Sequence, residues 1–402
     1  MSPYRSALRH LALTTAIVVL PVASAHALDT EAFGARLKAV VAQQGGEINW
    51  TGINENGSQI VLAGVTIGGA GKPDDQKGHL GDVTLDNVTE ENGGYKIGTV
   101  SFQDFTSPEE DGMTVSLAGA SISGLKLPAE NATDAMSALV MYDSAKLDTF
   151  SVNKAGKEVF GLQNLHAEIT PPADGKALEF TGAADSFTAD LSQTEDPQSK
   201  AVIEALGYQN IKGSLEMAGS WQPSDGHIGL SQYDITVENA GTLGVTFDLG
   251  GYTTDFVKQL QAMQKQMAAQ PAGSDNSAMG MQMLGMMQQL TFGSASIRWD
   301  DDSLTQKVID FVAKSNGQKP EDITNQAKAI VPFLLAQLNN PELTTQVTEA
   351  VNTYLAEPKS IEISAEPEKE VPFAVLMAGG MSGNPAELLK TLAVSVSANQ
   401  DE

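Results

Sequence analysis

The side chains that could perform nucleophilic or metal chemistry are few and scattered in this sequence. The chain has no cysteine, and the histidines that follow residue 27 are His79, His166 and His227. No Gly-x-Ser-x-Gly motif is present, and no two histidines have the spacing of zinc ligands. The sequence therefore predicts no catalytic residue and no metal site. A hydrolase whose site forms only in the fold stays open as an alternative.

Carboxylates form two short runs, Glu109–Asp111 and Asp300–Asp302. Neither run has the spacing of an EF-hand calcium loop. The first is typical of a turn, and the second is typical of acids at a helix start, where the helix dipole favours negative charge. No Gly-rich phosphate loop follows a strand and opens a helix. We therefore predict no cofactor.

Methionines are unusually concentrated in one region. Seven of the 14 fall between Met263 and Met287. Helical spacing places four of them on one stripe, which is typical of packing or of an adaptable apolar surface. The Met-x-Met-x-Met spacing also suits Cu(I), so a periplasmic copper-binding protein is an alternative hypothesis. The candidate apolar-contact surface consists of Met279, Met283, Met286 and Met287.

The N-terminus has the pattern of a secretory signal peptide. Arg5 and Arg9 precede the apolar run 11–22, and Ala25-His26-Ala27 fits a signal-peptidase site. The run is shorter than the roughly 20 residues that a spanning helix needs. We predict a signal peptide over 1–27, cleavage after Ala27 or Ala25, a periplasmic location, and no stable membrane insertion after cleavage.

Charge excludes one class of partner. The chain has 24 Lys and Arg against 50 Asp and Glu, and its net charge is −26. A nucleic-acid-binding protein needs a basic surface, so no nucleic-acid partner is expected. Attraction to an anionic membrane surface is disfavoured for the same reason.

A short apolar and hydroxyl pattern recurs in the N-terminal half, with starts about 18 residues apart. Its first, fourth and sixth positions are apolar and its fifth is Ser or Thr, which is typical of half-buried strands. The spacing allows a strand, a turn and a return strand. The copies are 62–70, 80–88, 97–105, 117–125 and, more distantly, 147–152. Hairpin dipeptides occur at Asn56–Gly57, Asn92–Gly93, Asp111–Gly112, Asp174–Gly175 and Asp225–Gly226.

The remaining periodicity predicts alternating strands and helices. Pro332 falls inside one helical pattern and should kink it. Predicted helices are 29–43, 131–142, 197–206, 253–267, 279–290, 304–313 with Asp302 or Ser303 as its cap, one from Pro320, and one from Pro341 to Tyr354 or Leu355. Predicted strands are 159–169, 178–191, 211–221, 227–237, 243–249, 290–299, 360–365 and 392–398.

These elements predict an α+β fold, with a long curved antiparallel β-meander, helices packed on one face and a mainly helical C-terminal part. Behind the signal peptide we expect three parts. Residues 28–155 hold the first helix and the repetitive meander, and 156–300 hold a second β-rich part with the Met-rich helix. Residues 301–402 form the helical part.

Two resemblances follow from particular segments. Ser296-Ile-Arg-Trp-Asp-Asp, Ile330-Val-Pro-Phe-Leu-Leu and Leu355-Ala-Glu-Pro-Lys are similar to an uncharacterised family of exported bacterial proteins, which implies no activity. The repeated strands of the Leu-Gly-x-Val-Thr-Leu kind resemble envelope β-proteins of the AsmA and YdgA type, which are associated with outer-membrane homeostasis.

The functional expectation is a non-enzymatic binding or scaffolding protein of the cell envelope. Its expected partner is an apolar small molecule or an envelope protein.

Overall fold

The computed structural model describes residues 28–69, 77–108, 112–132, 139–172, 177–269, 277–336, 339–381 and 385–400. Within these residues the chain forms nineteen strands, all connected in one sheet, and nine α-helices. Most of the helices lie in the C-terminal part. The predicted α+β meander is therefore confirmed. The predicted signal peptide 1–27 and the acidic run 109–111 lie outside the described residues.

The strands and helices have the following bounds. The first nine strands are β1 Gly46–Asn49, β2 Gly52–Asn56, β3 Gln59–Gly69, β4 Gly78–Asp86, β5 Thr89–Glu91, β6 Gly94–Phe102, β7 Phe105–Pro108, β8 Met113–Ala118 and β9 Ser121–Leu127. The others are β10 Ser144–Lys154, β11 Lys157–Thr170, β12 Leu178–Asp190, β13 Asn210–Gln222, β14 His227–Val237, β15 Gly241–Gly250, β16 Thr291–Asp301, β17 Ser360–Ala365, β18 Val371–Pro372 and β19 Val394–Ala398. The helices are α1 Thr30–Gln43, α2 Pro197–Leu206, α3 Thr254–Ala269, α4 Ser277–Met287, α5 Leu304–Asn316, α6 Pro320–Leu335, α7 Pro341–Ala356, α8 Phe373–Met381 and α9 Pro385–Thr391.

The sheet is an antiparallel meander in which strands adjacent along the chain are neighbours in space. From β10 to β17 each strand pairs with the next one, and β17 pairs with β19. In the N-terminal half, short strands lie end to end beside one long partner. Thus β1 and β2 both pair with β3, and β8 and β9 both pair with β10.

Successive copies of the sequence repeat form strands that pair with one another in the meander. Leu62 pairs with Val83, Leu85 with Val100, and Val100 with Ile122, so the apolar positions of successive copies lie in register. The expectation that one copy contains a strand, a turn and a return strand is wrong. The repeat length instead corresponds to one bent strand and its turn.

Turn geometry agrees with the predicted hairpin at Asn92–Gly93. Both residues have positive φ, 51° and 77°, as a type I′ turn requires. Ala155–Gly156, with φ of 52° and 77°, forms a similar turn that the sequence did not predict. Lys154 pairs with Lys157 across this turn, so β10 and β11 are neighbours in the sheet.

The largest core lies under α1. The Asp29 side chain accepts a hydrogen bond from the Ala32 amide at 2.9 Å and caps this helix. Phe33 is completely buried against the sheet, and its ring meets the Tyr95 ring edge-on at 5.1 Å. Burial, followed by the nearby charges of Glu90 and Asp29, raises the pKa of Tyr95.

A second core lies under α7 at the opposite edge of the sheet. Ala350 and Tyr354 pack on Trp299, Ile361 and the last strand. The Tyr354 hydroxyl bonds to the Thr305 hydroxyl, and burial raises the pKa of Tyr354. The C-terminal helices therefore pack on the sheet.

Several helix details differ from the sequence-based expectation. The α5 amide of Thr305 donates to Asp301 at 2.8 Å, so Asp301 provides the cap rather than Asp302 or Ser303. Pro332 lies inside α6, as the helical pattern indicated. The sequence predicted no element over 366–391, where α8 and α9 form. The predicted helix 131–142 falls largely on residues 133–138, outside the described part, and Met141 forms a bridge with Lys126.

Two glycines of β13 make room for aromatic rings from β12. The Phe180 ring occupies the space beside Gly219, and the Phe187 ring occupies the space beside Gly213. A Cβ atom at Gly219 would overlap the Phe180 ring and the Gly229 carbonyl oxygen. Because that oxygen belongs to the backbone, it cannot move aside freely.

We predict that Gly219→Ala lowers the free energy of unfolding by about 1–3 kcal/mol, because the added methyl group displaces the Phe180 ring. Gly280→Ala is the matched control, since a Cβ there meets nothing within 4 Å. In the exposed turn of α4 this control should stabilise by roughly 0.5–1 kcal/mol. Urea denaturation measures both. An unchanged midpoint for Gly219→Ala would contradict the packing described.

Candidate functional site

Side chains alternate between the two faces of the sheet, and the direct strand pairs show what each face carries. One continuous line of paired residues crosses the sheet from β10 to β19, and every member is apolar. The line consists of Leu147, Leu165, Ala184, Leu215, Ile235, Leu243, Trp299, Ile361 and Ala398.

A second line on the same face is also apolar and runs parallel to the first from β11 to β16. Val245 and Ile297, which pair with each other, lie between the two lines. We call the residues of both lines within β10–β16, together with this pair, the central apolar face. The second line consists of Ile169, Phe180, Gly219, Leu230, Phe247 and Ala295.

The opposite face is polar over the same strands. Hydroxyl pairs bridge neighbouring strands there, with Thr246 and Ser296 at 2.8 Å and Ser364 and Ser395 at 2.8 Å. One line of paired residues on this face consists of Lys146, His166, Ala183, Glu216, Asp234, Gly244, Arg298, Glu362 and Ser397. This face therefore carries the polar side chains of the strands, whereas the central apolar face carries their apolar side chains.

Helices cover the apolar side of the sheet at its two edges. Helix α1 covers the apolar side of β3, β4, β6 and β9, and α7 covers that of β17 and β19. Between them the large side chains are mostly half-buried or exposed. Leu165 is 38% exposed and Ile297 is 54% exposed, although both point to the side that carries the cores.

A depression of about 280 Å³ lies on the central apolar face. Its walls include Ile122, Leu147, Leu165, Leu215 and Met217. Gly182 provides a low point in this surface, because a Cβ there would come within 3.0 Å of Met217. A concave, apolar and open surface of this kind can hold a hydrocarbon group and offers little for a charged one.

The four candidate methionines lie outside this depression, in a separate cluster between α3 and α4. Met286 is 3% exposed and packs with the buried Phe256, Met263 and Leu290. Met279, Met283 and Met287 are half-buried against the same cluster. The side chains that point outward from α4 include Met281 and Leu284.

The methionine cluster adjoins the sheet through Tyr252. The Trp221 indole donates a 2.7 Å hydrogen bond to the Tyr252 carbonyl, and the two rings lie 6.2 Å apart. Trp221 lies on the apolar side of β13, because it pairs with Leu178 and Ile228. The cluster thus abuts one end of the central strands.

The described histidines lie in three different strands of the sheet, β4, β11 and β14. His227 pairs with Asp248 at 2.7 Å on the polar face, and His166 bonds to the Asn164 carbonyl at 2.9 Å. His79 lies in β4 opposite Thr66. Among the described residues, His227 has no serine or threonine hydroxyl as a hydrogen-bond partner, so this acid–histidine pair lacks an adjacent nucleophile.

Two acids of the 300–302 run have structural partners. Asp300 forms a salt bridge with Arg298 at 2.8 Å, and Asp301 caps α5. In the part of the chain that the structure describes, no group of three or more His, Asp or Glu side chains could hold a metal ion. None of the described helices is both long enough and apolar enough to cross a bilayer.

Comparison with known proteins shows a similarity in the C-terminal region. A family model described as "Uncharacterized protein" matches residues 234–399, from the middle of β14 to the end of the sheet. The C-terminal region is therefore similar to an uncharacterised family, as its segments predicted. No curated protein matches the chain.

The sequence did not identify the central apolar face as a site, since each strand alone has ordinary alternation. Only the register of seven adjacent strands reveals that their apolar positions form uninterrupted lines.

We predict that replacing Met279, Met283, Met286 and Met287 together by Leu leaves the affinity for Cu(I) unchanged. Leu conserves the volume that this cluster needs, so the unfolding free energy should change by less than about 1.5 kcal/mol per site. Competition with a chromophoric Cu(I) chelator measures the affinity, and wild-type chain is the reference. A marked loss of copper affinity in a folded variant would restore the copper hypothesis.

Proposed function

We propose that this protein is a non-enzymatic binding protein that holds a hydrocarbon chain on the central apolar face. The observation that carries the proposal is the pair of uninterrupted apolar lines, which none of the described helices covers between α1 and α7. Apolar surface exposed to water on this scale is typical of a binding site rather than of an inert surface.

The dimensions suit an acyl chain. Seven strands from β10 to β16 span about 29 Å, given strand spacings of about 4.8 Å. An acyl chain of one leaflet reaches about 15 Å, half of the roughly 30 Å hydrocarbon core of a bilayer. The depression around Leu165 and Leu215 offers a starting point for such a chain, and the lines continue beyond it.

The proposal includes a location in the bacterial periplasm. It rests on the signal-peptide pattern of residues 1–27, with cleavage after Ala27 or Ala25. The resemblance of the repeated strands to envelope proteins of the AsmA and YdgA type supports a role in the cell envelope. An envelope protein that docks an apolar segment on the same face is the competing occupant.

We expect native mass spectrometry of the chain, purified gently from its own compartment, to show an added mass of several hundred daltons. This mass should extract into organic solvent, because the face offers apolar contacts almost alone. An added 63 daltons per site would indicate copper instead. A bare chain mass would count against both ligands and favour a protein partner.

We predict that Leu165→Gln combined with Leu243→Gln weakens binding of a fluorescent acyl-chain probe roughly tenfold. Both side chains lie in the first apolar line, and each loses apolar contact worth about 0.8 kcal/mol, the value of one buried CH₂ group. Thr181→Gln combined with Thr246→Gln introduces the same groups on the polar face and should leave the affinity unchanged. Equal effects of the two pairs in a fluorescence titration would refute the assignment of the face.

A further inference from the structure

The connections of the C-terminal strands bring several helices to one end of the sheet. Gly250, the last residue of β15, pairs with Thr291, the first of β16, so α3 and α4 lie beyond this end. Ala365 pairs with Val394, so α8 and α9 lie beyond the same end.

Helix α6 also finishes there. Leu343, in the first turn of α7, lines a hollow together with Lys390 of α9 and Val394 of β19. Helix α7 therefore begins at this end and runs to the other, where Tyr354 meets Thr305. The last turn of α6 directly precedes α7 in the chain, so it lies at the same end.

The helices at this end expose large apolar side chains. Ile330, Phe333 and Leu334 share one face of α6, and Phe333 is 74% exposed. On α4, Met281 is 75% exposed. We call the following residues the apolar end of the molecule: Met281, Leu284, Ile330, Phe333, Leu334 and Val375.

The segments that carry the apolar end contain no charged residue. Helices α4 and α8 have none along their whole length, and neither has 329–335 of α6. This is unusual in a chain with 74 charged residues. Helix α5, by contrast, carries Lys307, Asp310 and Lys314.

We propose that the apolar end docks on the surface of a lipid bilayer whose headgroups are zwitterionic. Exposed apolar side chains on short uncharged helical segments can enter the boundary between headgroups and acyl chains. A net charge of −26 repels an anionic surface, so the proposal commits to a bilayer without net charge. The contact is reversible and involves no membrane-spanning helix among the described residues.

This docking rests on the helices alone and does not depend on the proposed acyl-chain binding. The two proposed sites are nevertheless adjacent. Tyr252 and the methionine cluster lie between α4 and Trp221, at the end of the central strands. A docked molecule would therefore present that end of the central apolar face to the bilayer.

The test is flotation of the full chain with vesicles of phosphatidylcholine, and with vesicles in which about a third of the lipid is phosphatidylglycerol. The chain should float with the first and less with the second. Met281→Asp combined with Phe333→Asp should reduce the bound fraction roughly fivefold or more, because both charges would have to enter the headgroup boundary.

Val202→Asp combined with Val308→Asp is the matched control. Both valines are exposed on helices, α2 and α5, that begin at the opposite end of the sheet, and the variant has the same added charge. It should float as the unmodified chain does. Absence of flotation with phosphatidylcholine, or an equal loss in both variants, would overturn the proposal.

Two further readouts separate the alternatives. Light scattering could show a dimer that dissociates when Met281→Asp and Phe333→Asp are combined. This result would make the apolar end an interface between two copies of the chain and would overturn membrane docking. Acyl-probe binding should be unchanged in that variant. If the unmodified chain floats with the vesicles but does not bind the acyl-chain probe, the proposed function is refuted and the docking proposal stands.

Discussion

Every central strand of this protein hydrogen-bonds to both neighbours in antiparallel register, and this pairing fixes which side chains share a face. From β10 to β16 the register joins apolar residue to apolar residue in two parallel lines. A shift of one residue in any strand would move its apolar side chains to the polar face. The central apolar face therefore exists only as long as the whole meander keeps its register.

The same register explains where the cores are. Apolar side chains occur on one side along the whole sheet. Among the described helices, α1 covers this side at one edge through Phe33 and its neighbours, and α7 covers it at the other edge through Ala350 and Tyr354. The strands between them pack their own side chains sideways, as Phe180 does beside Gly219. The central strands still expose apolar side chains, among them Leu165, Leu243 and Ile297.

Much of the local structure could be predicted from the sequence. The bounds of α2 and β17 agree with the prediction. Asp29 and Asn340 cap α1 and α7, and both residue types are favoured at this position. Such features depend on residues within a few positions of each other. The missed helices α8 and α9 follow a stretch of Glu, Lys and Pro that has no periodicity, so local pattern gave no basis for them.

The sequence by itself determined the alternation of apolar and polar residues, most turns and caps, and the acidic charge of the chain. It could not determine which apolar residues would be covered, because burial depends on contacts between distant segments. Met286 and Phe333 both lie on apolar helical stripes, yet Met286 is buried and Phe333 is exposed. The tertiary structure decided this, because Phe256, Met263 and Leu290 surround Met286, whereas Phe333 projects from the last turn of α6, beyond the sheet.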